Sequence, residues 1–367
     1  MKIAEEHILP HIVQLAKKFI SVPSTADNPE KLKEVLNIAK KELQGYFPIE
    51  EFESNGIPSL LVHNTHERTK HFKIILNAHV DVVPGKEEQY YPVEKDGKLY
   101  GRGTYDMKSA TAVMILLFKN LAKEIAYPLA LQIVTDEETG SANSTQYQIA
   151  KGIRGEFIII GEGGSNLNIK NKSKGMLHLE LKTSGITAHG AYPWLGENAI
   201  LKMQKVIDTV RRMYLIPKKS VWKTTASLAR IETTNYAFNK VPDNCTAYLD
   251  IRYIYEDQDT VVKNIQNNIP EWVRIKVLTN DPATYIRSTN PYIQSLKRAT
   301  KNVIRKNAAI LGAHGASDIR FYRPVHCDGV EFGPIGHGHH SDNEYVDIKS
   351  LEDYYHILKN FLLSVKP

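Results

Sequence analysis

The sequence predicts an α/β protein: a mixed, twisted sheet with helices on both faces, interrupted by a smaller inserted domain. Three observations predict it. Helical and strand periodicities alternate through the first half of the chain. From Gly175 the rhythm changes to the order βαββαβ, the split βαβ pattern of a ferredoxin-like open-faced sandwich. After about residue 285 it returns to a helix, short strands and a closing helix. At 367 residues the chain is too long for one ordinary core. The expected boundaries are 1–174 for the first part of the main domain, 175–284 for the inserted domain and 285–367 for the completion of the main domain.

Ile12, Val13, Ala16, Phe19 and Ile20 fall at helical spacing, with Pro10 near the first turn, and predict a surface helix with one face inward. A second helix is expected near 30–45, strands near 58–63 and 73–79, a helix from about 107, and strands near 129–135 and 156–160. In the inserted segment MLHLELKTS alternates as a strand and ENAILKMQKVIDTVRRMY reads as an amphipathic helix. KTTASLARIE and CTAYLDIRY are strands, DTVVKNIQNNI a helix and VRIKVLT a last strand. PYIQSLKRATKNVIRK then opens the final segment.

Composition narrows the function. The formal charge of +6 comes from scattered Lys and Arg, with no basic block interleaved with aromatics, so a nucleic-acid partner is not expected. No apolar run is long enough to cross a bilayer, and no membrane partner is expected. Cys245 and Cys327 stand far apart and outside any CxxC pattern, which argues against a disulfide framework or a thiolate metal site. With Glu5 and Glu6 where a signal peptide would be basic, the expected location is the cytoplasm. Neither a GxSxG nucleophile motif nor a GxxxxGK[ST] phosphate loop occurs.

The chemistry sits where apolar strands end in ionisable groups. IILNAHVDVVPG runs into His79 and Asp81, LALQIVT into Asp136, Glu137 and Glu138, and EFIIIG into Glu162. The carboxyl ends of strands line the ligand crevice of open α/β sheets. Asp106, in GRGTYDMKSATAVMILLF, precedes a strongly apolar helix. Singly, each has a plain structural role: Asp106 as a helix cap, Glu137 and Glu138 as a charged turn, His79 as a hydrogen-bonded core histidine. Together, four carboxylates in one crevice repel unless protons or cations hold them. Carboxylates and histidines without thiolates suit Zn²⁺, and also Co²⁺ or Mn²⁺.

HVDVVP, GRGTYDMK, DEETGS, GEGG and GPIGHGHHSDNEY resemble, in order, the motifs of the di-zinc aminoacylase and carboxypeptidase family, which includes succinyl-diaminopimelate desuccinylases and acetylornithine deacetylases. The resemblance spans essentially the whole chain. It implies that the main domain is catalytic and that the inserted domain serves as a lid and dimerisation domain of a homodimer. It also implies two divalent ions per subunit, His79 and Glu162 on one, Glu138 and a late histidine on the other, with Asp106 bridging both. Glu137 would be the general acid/base working on a metal-bridged hydroxide, and Asp81 would orient the His79 ring. Of His337, His339 and His340, the register H-x-x-N-E selects His340, with His339 next.

TSGITAHGAYPWLGENA resembles the family segment whose histidine, here His189, stabilises the oxyanion in the partner subunit's site. FNKVPDNCTAYLDIRY resembles the stretch that holds the substrate carboxylate, here through Asn239 and Arg252. HGASD, with Gly315 and Ser317, resembles the G-T-S-D loop of the desuccinylases, but Ala316 replaces the threonine. The expected activity is removal of an acetyl or succinyl group from an N-acylated amino acid or similar small carboxylate. A dipeptidase or carboxypeptidase keeps the same metals and changes the substrate. A catalytically inactive binding module would lack a ligand or the base, and none of these residues is missing.

Overall fold

A computed structural model describes residues 3–367. The chain forms two compact units. The first is Met1–Asn171 with Ile286–Leu311 and Phe321–Pro367; the second is Lys172–Tyr285 with Gly312–Arg320. The last segment corrects the expected boundaries, which gave Gly315 and Ser317 to the main domain. Lys174 N donates to Ala313 O at 3.1 Å and Arg320 Nε lies 3.2 Å from Asp281 Oδ2, so this stretch is tied to the inserted unit. Pairings between segments more than a hundred residues apart are invisible to periodicity.

The sheet of the first unit orders its strands Ile49–Ser54, Ile57–His63, Leu129–Val134, Phe72–His79, Gly155–Ile160 and Asp328–Glu331. Ile57–His63 is antiparallel to both of its neighbours, whereas Phe72–His79 is parallel to Leu129–Val134 and to Gly155–Ile160, and Asp328–Glu331 continues parallel. The parallel strands are almost wholly buried, which is why they read as continuous apolar runs.

Helices lie on both faces of this sheet. Ile74 pairs with Phe157, and the Phe157 ring packs on Tyr292 at 4.8 Å and Phe361 at 6.5 Å, placing helices Pro291–Ile304 and Ile348–Ser364 on that face. Asn77, three residues from Ile74, points the other way. It donates to Gln132 Oε1 at 2.7 Å, and Gln132 donates to Gln148 Oε1 at 3.0 Å in helix Thr145–Ala150. Helices Pro29–Leu43, Pro291–Ile304 and Ile348–Ser364 begin at Asn28, Asn290 and Asp347, whose side chains accept backbone N–H bonds. Helix Ile8–Ile20 buries the five apolar residues its spacing selected.

The second unit is an antiparallel sheet in the order Thr225–Glu232, Asn244–Tyr253, Gly175–Ser184, Arg274–Asp281. With helices Ala199–Met213 and Val261–Asn268 it follows the chain order βαββαβ. Leu177, Leu179, Leu181, Ala247, Leu249 and Ile251 form a core with Met203, Val206, Val261 and Ile265 from the helices. Each of the Leu, Ile, Val and Met side chains contributes about 1.5–3 kcal/mol on full burial. Leu228 and Val277 on the sheet are exposed. Among the described residues no helix is long and apolar enough to cross a membrane.

Candidate metal centre

The first unit gathers its ionisable groups at the carboxyl ends of its parallel strands. His79 is the last residue of its strand, buried, and in register with Val134 of the neighbour. From Val134 the chain turns through Asp136 into Glu137–Thr139. Asp136 shapes that turn: its carbonyl accepts from Thr139 N and Ser141 N, and its carboxylate from Asn143 N at 2.8 Å. Glu162 follows the strand Gly155–Ile160.

Asp106 joins these groups. Its backbone is non-helical (φ −125°, ψ 95°), it stands three residues before helix Ser109–Leu121, and its peptide to Met107 is cis. It is no helix cap. Asp106 Oδ1 lies 3.0 Å from His79 Nε2, which is itself 3.7 Å from Glu162 Oε1. Asp106 Oδ2 lies 3.1 Å from His340 Nε2, which is itself 3.2 Å from Glu138 Oε2. His339 Nε2 is 2.5 Å from the same Oδ2. His337 is exposed and packs near Tyr345.

Asp81 is fully buried and holds two parts of the cluster together. Its Oδ2 accepts from Glu138 N at 3.0 Å. His79 Nδ1 is 3.1 Å from the Asp81 backbone carbonyl and 3.5 Å from its carboxylate, so the main chain provides the closer contact to the ring. Sequence reading missed three further residues, Glu344, its partner Arg102, and Lys108. Glu344 accepts from Gly103 N, Tyr105 N, Asp106 N and Arg102 Nη1. Its position in the late motif was visible but its partners were not. Lys108 is fully buried and donates to Val22 O at 2.7 Å. Burial pushes its ammonium down to about 7 against the opposing charges of Asp81 and Glu344.

The electrostatics carry the strain of a shared site. Burial, then the charges of Asp106 and Glu137, raise the Glu162 carboxyl well above its usual range. Burial opposes ionisation of Asp106, but hydrogen bonds from His339, His340 and His79 hold it well below the usual range. Burial likewise opposes a charged His79, and its bonds to Asp106 and Asp81 outweigh that, raising it. His340 is pushed up to about 10 by hydrogen bonds to Asp106 and Glu138. Protons thus offset the carboxylate repulsion, a part that cations also fill. The donors are imidazoles and carboxylates with no thiolate, and their atoms converge in two sets, His79–Asp106–Glu162 and Asp106–His339–His340. The donor set fits a pair of divalent cations.

The other expected residues lie in the second unit. His189 is exposed, its Nδ1 accepting from Ala191 N at 3.1 Å, and Asn239 O accepts from Gly190 N across from it. Arg252 bonds Asp250 at 2.8 Å and lines a cavity of about 400 Å³ with Lys174, Lys219, Ser220 and His314. Burial and the Arg252 charge lower the Lys174 ammonium. Gly315 is exposed and Ser317 buried, beside His314 in sequence.

A mixed α/β scaffold with this donor set at its strand ends defines a metal-dependent amide hydrolase. The chain belongs to peptidase family M20/M25/M40, whose model matches residues 75–364. It is 26% identical over 378 residues to a succinyl-diaminopimelate desuccinylase of Hydrogenovibrio crunogenus, covering 96% of this chain and 98% of that one. A tripeptidase of Staphylococcus aureus superposes with a TM-score of 0.80 at 18% identity, covering 99% and 98% of the two chains. A dinuclear metal-binding peptidase of Bacillus subtilis superposes with a TM-score of 0.71 at 12% identity, covering 99% and 100%. The two superpositions show the fold.

Proposed function

We propose that the protein is a zinc-dependent, two-metal amidohydrolase that removes a succinyl or acetyl group from the amine of an amino acid or similar small carboxylate. The observation that carries this reading is the division of labour within Asp106: Oδ1 faces His79, with Glu162 behind it, and Oδ2 faces His340, with Glu138 behind it. One ion would be held by His79 and Glu162, the other by Glu138 and His340, with Asp106 shared. When bound, the pair would acidify water and polarise an amide carbonyl.

The protein's own groups do the rest. Glu137 takes the proton from the attacking water and returns it to the leaving amine. Asp81 fixes the His79 ring and, through Glu138 N, the neighbouring turn. The groove of Lys174, Lys219 and Arg252 supports a substrate that carries a carboxylate, with Asn239, Gly315 and Ser317 as further contacts by resemblance. His189 enters the reading as the oxyanion donor of a homodimer. Cys245 and Cys327 are buried free thiols, in keeping with a reducing cytoplasm.

Full-length likeness to a desuccinylase supports the acyl chemistry. A second reading, an exopeptidase acting on dipeptides or short peptides, keeps the same metals, and Ala316 in place of the threonine of the G-T-S-D loop weakens the case for a succinyl-specific pocket. Specificity constants for N-succinyl, N-acetyl and dipeptide substrates, measured on Zn²⁺-loaded protein, test both. A preference for acylated amino acids upholds the first. A preference for dipeptides replaces it with the second, and no hydrolysis of any amide refutes both.

A further inference from the structure

We propose that His339 is an additional ligand of the cation held by His340 and Glu138, so that this position has two imidazoles from adjacent residues. The inference rests on the two-cation reading above and adds a donor to it.

Neighbouring side chains ordinarily diverge, alternating across an extended chain or fanning around a helix. Here they converge. His340 has φ 56°, in the left-handed region, and the chain turns so that both rings approach one carboxylate oxygen. His339 Nε2 lies 2.5 Å and His340 Nε2 3.1 Å from Asp106 Oδ2. The rings are 5.1 Å apart and nearly perpendicular at 82°, an arrangement that lets two nitrogens address one point without the rings colliding. The ligand atoms of Asp106, His339 and His340 all lie within 4.8 Å of one another. A cation held there would need each nitrogen at about 2.0–2.1 Å, which small movements of the two rings would supply.

The surroundings keep His339 in place. The Tyr105 ring lies 5.5 Å from it, and Tyr105 is itself anchored by its hydroxyl to Asn166 Oδ1 at 2.7 Å. On another side Gly164 leaves the ring room, since even an added Cβ would stand 3.9 Å from His339 Nδ1. His339 is 40% and His340 50% exposed, so both can shift toward an ion without repacking a core. An imidazole adds a donor and no charge. The position therefore gains coordination number beyond Asp106, Glu138 and His340 while its net charge is kept. A hydrogen bond from His339 to Asp106 alone is the competing role.

The test uses the full-length chain loaded with Co²⁺, whose visible bands weaken as coordination number rises. Unaltered protein and the His339→Ala and His340→Ala variants are compared by metal content, calorimetric affinity and visible spectrum. His339→Ala is expected to bind two ions, to lose at least the ~10–100-fold in affinity at one site that even an outer partner of a ligand contributes, and to show stronger visible absorption. Added imidazole should restore the original spectrum. An unchanged spectrum and affinity in His339→Ala overturns the proposal. So does a His340→Ala variant that keeps both ions and the original spectrum, because His339 then serves alone. Fewer than two Co²⁺ on the unaltered chain removes the two-cation reading itself, and the proposal with it.

Discussion

Arg102 and Glu344, 242 positions apart in the chain, form a buried ion pair whose nitrogen and oxygen lie 2.8 Å apart. The same carboxylate accepts the backbone N–H of Gly103 at 3.0 Å, Tyr105 at 2.9 Å and Asp106 at 3.1 Å. Arg102 also reaches the His340 carbonyl at 3.4 Å. The Asp106 loop and the late histidine loop are thereby locked to each other.

Glu344→Ala should destabilise the metal-free protein by about 3–5 kcal/mol, since it leaves a buried guanidinium and three backbone donors without their acceptor. Arg102→Met should cost less, because the three backbone bonds to Glu344 survive. Urea unfolding of both variants checks the order. Equal losses would mean that the backbone bonds contribute nothing.

Glu137→Gln should keep two metals per chain and lower turnover about 10²–10⁴-fold, the range of a general acid/base. Metal analysis beside steady-state kinetics reads both quantities. Loss of an ion in this variant would make Glu137 a ligand instead.

Removing cations with a chelator should lower the thermal midpoint, and Zn²⁺, Co²⁺ or Mn²⁺ should restore it. At a hundredfold excess over Kd each ion adds about 2.7 kcal/mol. A midpoint indifferent to chelator and metal would contradict the centre described here.

Arg252→Ala should reduce kcat/KM by roughly ten- to a hundredfold for carboxylate-bearing substrates, corresponding to about 1.5–3 kcal/mol for a hydrogen bond to a charged group. Substrates with an amidated carboxylate should be unaffected. If both kinds fall equally, Arg252 supports the fold and not the substrate.

Burial pushes the Cys327 thiol from its ordinary 9.0 up to about 12. Above pH 9 the unfolded thiol ionises while the folded one keeps its proton, so this contribution to stability is present below pH 9 and is lost as pH rises toward 12. Unfolding free energies measured across that window should fall with pH, less steeply in Cys327→Ala. Native protein at pH 8 should resist thiol reagents until denatured. Rapid labelling of the native chain would contradict the burial.

Much of this was legible in the sequence because buried parallel strands leave unbroken apolar runs. A run that stops abruptly at His79 or ahead of Glu162 marks the sheet's functional edge. The alternation of Gly175–Ser184 likewise announced a one-sided sheet, and its open face appears as expected. What was hidden depends on distant pairing or on a single backbone angle. Glu344 looks like an ordinary motif acid until Arg102 is found beside it. The nearness of His339 to Asp106 follows from the left-handed turn at His340, which its neighbours do not announce. The grouping of Gly312–Arg320 with the inserted unit follows from hydrogen bonds to residues far upstream.

The bond between Arg102 and Glu344 also bears on biosynthesis. Ribosomes deliver residue 102 long before residue 344, so throughout most of translation the Asp106 loop lacks the carboxylate that organises it. Metal loading is therefore expected only after the last segment emerges, and stalled nascent chains ending before His339 should retain no zinc on gel filtration. A truncated chain that still holds the ion of His79, Asp106 and Glu162 would show the loop to be self-sufficient.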